Sequence, residues 1–319
     1  MRDYIVCSLP VKESMEIPFK KIELQDKTLI EYYLAQKTYR SCELIFANVY
    51  LWSKKFPVEF AIVEDTLIFR SFVERDGVSI TFPAGKMEQI HKAMDTMITW
   101  FENEKQEMQM YLVQEQEFEL LRLWYPGQFE IEYDRDAADY VYETEKLTTL
   151  AGKKLHGKRN HINKFKEIYP NWSYETLTTE NVEDCFQMAL KWREENQCEK
   201  DIEKRDEMCV TLNALRLLKE LELQGGIIRV DGEVMAFCIG EALNPDTFVV
   251  HIEKAFAEIQ GVYPMINQQF VAHEAQDYLY VNREDDAGLE GLRKAKLSYR
   301  PAFLVEKGMV KKIGGNSND

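Results

Sequence analysis

The chain has 319 residues, a hydrophobic content of 45% with 12% aromatic residues, and a formal net charge of −15 from 55 acidic and 40 basic side chains. That much apolar surface excludes a disordered chain, and the length suits two domains at roughly 150 residues each. The acidic balance excludes a broad basic face for DNA or an anionic bilayer, so no DNA partner is expected, while a local basic patch is allowed.

The N-terminal stretch MRDYIVCSLPVKESMEIPF has no apolar core of signal-peptide length. No run of about 18 apolar residues occurs, so no transmembrane segment is expected. Cys7, Cys42, Cys185, Cys198, Cys209 and Cys238 lack CxxC spacing, and the five histidines show no HxxxH or HExxH pairing. Free thiols, a cytoplasmic location and no metal site follow as expectations.

In chain order, LIEYYLAQKTYR is an amphipathic helix, and residues 58–104 follow with short β-rich runs broken at Glu64-Asp65 and Asp76-Gly77, the turn chemistry of antiparallel hairpins. The next segment, KMEQIHKAMDTMITWFENE, places Ile90, Met94, Met97, Ile98 and Phe101 on one buried helical face. DRDAADYVYETEKLTTLAGKK, polar and acidic, is expected to link two domains, 1–145 and 146–319. Two amphipathic helices come next, and residues 226–276 then repeat the first plan. They read GIIRV, a turn at Asp231-Gly232, EVMAFCIGEAL, a turn at Asn244-Pro245-Asp246, TFVVHIEKA and a helix around YPMINQQFVAHEAQ. Helices, antiparallel strands, a helix and further strands in each half predict an α+β fold duplicated in tandem.

Residues 150–170, LAGKKLHGKRNHINKFKEIYP, hold six Lys or Arg and one acid. On a helix, Leu155, Ile162 and Phe165 form the apolar stripe and Arg159 shares it, so an anionic partner is expected: a buried acid, or a ligand. Lys154 and Lys158 lie on a neighbouring face, either solvated or phosphate-binding. In TFVVHIEKAFAEIQGVYPMINQQF, strand alternation puts His251 and Glu253 on one side, and Gly261 precedes a helix whose free N–H groups suit a pyrophosphate. That glycine equally suits a plain turn, and Glu253 is either a general base or half of an ion pair. In NREDDAGLEGLRKAKLSYRP, residues 282–301, acids precede and bases follow, as a helix dipole favours. Arg293 and Lys296, one turn apart, can share a face.

The run LAGKKLHGKRNHINKF, the stretch HIEKAFAEIQGVYPMIN and NREDDAGLEGLRKAKLSYRP together resemble the phosphatidylglycerol lysyltransferase C-terminal domain family, specifically its soluble bacterial members. The resemblance implies two tandem acetyltransferase folds of the GCN5-related (GNAT) type, the first half a degenerate copy. It implies transfer of an acyl or aminoacyl group to an amine or hydroxyl, the donor being an aminoacyl-tRNA or an acyl-CoA, with no permanently bound cofactor. Glu253, Asp285 and Tyr299 are then the expected catalytic groups, and Lys158, Arg159, Gly261, Arg293, Lys294 and Lys296 the expected donor-binding ones. The other reading is a GNAT-fold module that binds a phosphate-bearing ligand without turnover.

Overall fold

The computed structural model describes residues 16–73 and 77–313. Among these, the strands form two sheets. The first runs Lys20–Lys21, Val58–Val63, Thr66–Val73, Gly77–Thr81, Gln109–Val113, Gly308–Lys312, Phe129–Tyr133, with Ala84–Gly85 beside Thr66–Val73. The second runs Phe303–Val305, Asp139–Glu143, Tyr280–Asn282, Thr247–Ala255, Glu233–Asn244, Gln224–Val230, Trp172–Thr176.

The repeated plan in the sequence is a repeated plan in space. Each half makes three antiparallel strands, a helix, and a strand parallel to the third. Gly77–Thr81 takes Gln109–Val113 across the helix Met87–Asn103, and Thr247–Ala255 takes Tyr280–Asn282 across Val262–Glu274. A parallel pair needs such a crossover, whereas the antiparallel pairs close through tight turns. Two of those turns have both central residues at positive φ, Glu64 at 48° with Asp65 at 57°, and Asp231 at 50° with Gly232 at 87°. This twist matches that of the flanking strands. Of the expected Asp76-Gly77 turn, Asp76 lies outside the described residues. The α+β class, with two tandem acetyltransferase-like sheets, each mixed, largely antiparallel and flanked by helices, holds.

The expected link is corrected. Residues 134–154 contain the strand Asp139–Glu143 and the helix Thr144–Thr149, with Tyr140, Val141 and Tyr142 all at most 1% exposed. Acidic flanks hide an apolar centre, and the strand is an inner member of the second sheet. The chain also crosses back, because Gly308–Lys312 inserts between Gln109–Val113 and Phe129–Tyr133 of the first sheet. Sheet membership therefore does not follow a single cut at residue 145.

The largest apolar contact network lies at the seam. Ile30, Phe46 and Leu51 from the first half pack in one core with Met208, Leu215, Ile227 and Phe237 from the second. A second core packs Phe165, Met265 and Phe270 against the inner strands of the second sheet. The expected face of Met87–Asn103 is buried at Ile90, Met94, Met97 and Phe101, with Trp100 added and Ile98 partly buried at the edge.

Candidate functional site

The pairing of Thr247–Ala255 with Glu233–Asn244 shifts register twice, once at Leu243 near the turn and once within Thr247–Ala255 itself. Val250 lies opposite Gly240 and Ile252 opposite Ile239, so His251 is an extra residue, a β-bulge. Before the bulge, Val249 packs with Cys42 and Ile45 while Val250 joins the helix-side core. After it, Ile252 joins the seam core and Glu253 reaches Asn267 of the helix Val262–Glu274. The expectation that His251 and Glu253 share a side is thereby corrected, because one inserted residue shifts the alternation by one.

Thr247–Ala255 and Tyr280–Asn282 pair over three residues, Thr247 to Val249, and then part. Beside this parting, Arg283 Nη2 donates to Glu253 Oε2 at 2.9 Å and Asn267 Nδ2 donates to the same oxygen at 3.1 Å. The pair is largely buried, Arg283 at 11% and Glu253 at 16% side-chain exposure. Lys158 Nζ stands 4.0 Å from the centre of the Tyr299 ring, and the Arg283 guanidinium 4.9 Å from it. Burial, aided by the charge of Arg283, lowers the Lys158 pKa, and burial pushes the Tyr299 phenol up, so Tyr299 stays protonated. Arg283 Nη1 and Asn267 Oδ1 are buried without a protein partner.

Three expected residues, Glu253, Tyr299 and Lys158, thus meet around one that carries no motif of its own. Arg283 stands at the end of a short β-run and reads in the sequence as one more charge of NREDD. Asn267 had a clearer signal: it is a polar residue among Met265, Ile266, Phe270 and Val271 on a buried helix face.

The other expected residues are held elsewhere. Arg159 has no acid partner among the described residues; its Nη1 donates to the backbone carbonyls of Leu150 and Gly152, the latter at 2.8 Å, and so caps the end of the preceding helix. Gly261 sits at φ 84°, and a Cβ there would meet the His161 carbonyl oxygen at 2.3 Å. Close packing of two helices accounts for this glycine. Arg293 forks onto Asp286 with two bonds of 2.8 Å and reaches Asp136 at 2.6 Å. Lys296, 8% exposed, donates to the carbonyls of Arg283 and Asp285, so its charge secures the 283–285 turn and does not face a donor. Lys294 is exposed, and its side chain has no hydrogen-bond or ion-pair partner among the described residues. Asp285 is pushed up to about 6 by burial and feels the charges of Lys307, Glu43, Glu284 and Asp139, away from Glu253.

On the seam side, His251 Nε2 lies 2.9 Å from Glu241 and Nδ1 2.7 Å from Glu284. Burial opposes its charge, but the two carboxylates outweigh burial and hold its pKa up to about 10. His251 and Glu284 line a cavity of about 70 Å³ with Asn48, Trp52 and Glu207. Close by, Cys42, Glu43 and Asp139 present ligand atoms within 4.8 Å of one another. Lys307 already supplies a cation there, with Nζ 2.6 Å from Glu43 and 2.7 Å from Asp139. The five cysteines among the described residues are free. No helix among the described residues is long and apolar enough to cross a membrane.

Two mixed sheets thus share a core, and a charged cluster lies where the parallel strands of the second sheet part. The model of the phosphatidylglycerol lysyltransferase C-terminal family matches residues 35–311, and the chain belongs to that family. A conserved protein of unknown function from Bacteroides thetaiotaomicron is 35% identical, with 93% of this chain and 100% of that one covered and a TM-score of 0.88. The L-PGS of Bacillus licheniformis shares the fold at 13% identity and a TM-score of 0.63, over 92% of this chain and 93% of that one. An uncharacterised protein of Mycoplasmoides gallisepticum is 26% identical over 195 residues, 60% of this chain and 61% of that protein's length.

Proposed function

We propose that this chain is an acyl- or aminoacyl-transferase that passes the group from an aminoacyl-tRNA or an acyl-CoA to an amine or hydroxyl acceptor. The observation that carries this reading is the cluster of Glu253, Arg283, Tyr299 and Lys158 at the parting of the two parallel strands, in a family named for lysyl transfer.

In this reading the acceptor's N–H or O–H gives its proton to Glu253 as the acceptor atom attacks the donor carbonyl. Arg283 and Lys158 stabilise the oxyanion, a role that favours preplaced cations with little water around them. The carbonyl's bond to the donor oxygen or sulfur then breaks. Tyr299 gives its proton to the leaving group and regains one from Glu253. No covalent enzyme intermediate is needed. Arg293, Lys296 and Arg159, held by the protein itself, take no part.

A thermal-shift series with coenzyme A, acetyl-CoA, longer acyl-CoAs and a non-hydrolysable aminoacyl-adenosine mimic tests the reading. A true donor at a hundred times its Kd adds about 2.7 kcal/mol. Glu253→Gln is expected to keep that stabilisation and lose transfer. Silence across the whole panel would overturn the reading, and binding without transfer would favour the phosphate-binding module.

A further inference from the structure

The first sheet ends in an open edge. Phe129–Tyr133 is its last strand and pairs with Gly308–Lys312 alone. At the two ends of this pairing the Asp134 N–H donates to the Lys307 carbonyl at 3.0 Å and the Ile313 N–H to the Gln128 carbonyl at 2.8 Å. Bonded and non-bonded residues alternate in an antiparallel pair, so Glu130 and Glu132, which keep step with Gln128 and Asp134, are the residues bonded to Gly308–Lys312. Phe129, Ile131 and Tyr133 turn their N–H and C=O groups the other way, a row of donors and acceptors that no strand among the described residues meets.

Side chains alternate as well. Phe129 and Ile131 pack into the core that holds Ile90 and Met94, so Glu130 and Glu132 project from the opposite face, in register with Lys311 and Met309. These four residues and Ile131 line a groove of about 250 Å³. Both glutamates are exposed, and neither has a hydrogen-bond or ion-pair partner among the described residues. Exposed charges on an edge keep other strands away, but this arrangement repels selectively. A second copy that joined its own Phe129, Ile131 and Tyr133 to this edge would set Glu130 against the other Glu132 at non-bonded positions, where Cα atoms stand about 4.5 Å apart. A strand with Lys or Arg at those two positions gains two cross-strand ion pairs instead, and the cations' alkyl stems lie along Met309 in the groove. We propose that this edge docks an extended segment of another protein in which Lys or Arg alternates with apolar residues. The backbone row attaches the segment, the two glutamates select it, and its apolar residues extend the face that carries Ile131 and Tyr133. The site belongs to the first sheet and does not depend on the transferase reading.

The test titrates the end-blocked pentapeptides IKIKI, IEIEI and KKIII into the isotopically labelled whole protein and follows its backbone amide signals by NMR. IKIKI sets a lysine opposite each glutamate, whereas KKIII carries the same charge without the alternation. IKIKI should move the Ile131 amide and its neighbours, and should bind at least about tenfold tighter than IEIEI and about threefold tighter than KKIII, a preference that weakens with salt. Ile131→Pro removes the central outward donor and leaves the bonds to Gly308–Lys312 in place, so it should abolish IKIKI binding. If that variant does not fold, Glu130→Lys combined with Glu132→Lys should transfer the preference to IEIEI. Silence at millimolar IKIKI, equal affinity for the three peptides, signal changes confined to residues away from this edge, or unaltered IKIKI binding by the variants overturns the proposal.

Discussion

Lys307 donates to Asp139 at 2.7 Å with both side chains at most 1% exposed, and the bond joins the turn that leaves the second sheet to an inner strand of that sheet. The same ammonium bonds Glu43 of the first half at 2.6 Å. One cation thus ties both halves together where the chain crosses between them. Removing one member of a buried ion group strands the others, which costs about 3–5 kcal/mol. Lys307→Met is expected to lower the unfolding free energy by that amount, read as a lower urea midpoint with an unchanged denaturant slope. A loss under about 1 kcal/mol would mean that water reaches the two carboxylates.

His251 makes stability depend on alkaline pH. Its folded pKa, about 10, lies above the ordinary 6.5, so the folded state holds a proton that the unfolded state releases. The contribution is complete below about pH 6.5 and is lost as pH rises towards 10. Between about pH 7.5 and 9.5 stability should fall by up to about 1.4 kcal/mol per pH unit. His251→Gln should flatten that slope while lowering stability at pH 7, as read from urea melts across the range.

Gly261→Ala separates the packing role from an anion-binding one. The left-handed backbone and the contact with the His161 carbonyl both oppose a side chain. A loss of at least about 1–2 kcal/mol is expected from the backbone alone. An alanine variant of wild-type stability would show that the two helices can separate without cost.

Arg293 and Lys294, neighbours that the sequence places in one group, should behave differently. Arg293→Ala leaves Asp286, which is 0% exposed, without its forked partner, and the melting temperature should fall. Lys294→Ala alters an exposed side chain and should change stability by less than about 0.5 kcal/mol. Equal effects of the two substitutions on stability would contradict the ion pairs described above.

The legible part of this protein was its local chemistry. Asp-Gly and Glu-Asp turns, a helix face recurring at Ile90, Met94 and Met97, and the repeat itself all depend on residues close in sequence, where period and turn type act directly. What escaped depended on distant partners. DYVYE reads as part of an acidic link until Tyr280–Asn282 and Phe303–Val305 pair with it. The face of Glu253 followed from alternation, and one bulged residue reversed it. Arg159, Arg293 and Lys296 are cations whose type suggests a phosphate but whose bonds go to carbonyls and to Asp286, which no spacing rule announces. Glu253, Tyr299 and Lys158 could be singled out by residue type; that they gather around Arg283 needed the fold.

The return of Gly308–Lys312 into the first sheet also orders events during synthesis. Its neighbours, Gln109–Val113 and Phe129–Tyr133, leave the ribosome long before it does, and domains usually fold as they emerge. Here the gap between those two strands stays open while the entire second sheet is translated. The half made first is therefore the half completed last, and until then its unpaired strand edges are exposed to pairing with other nascent chains.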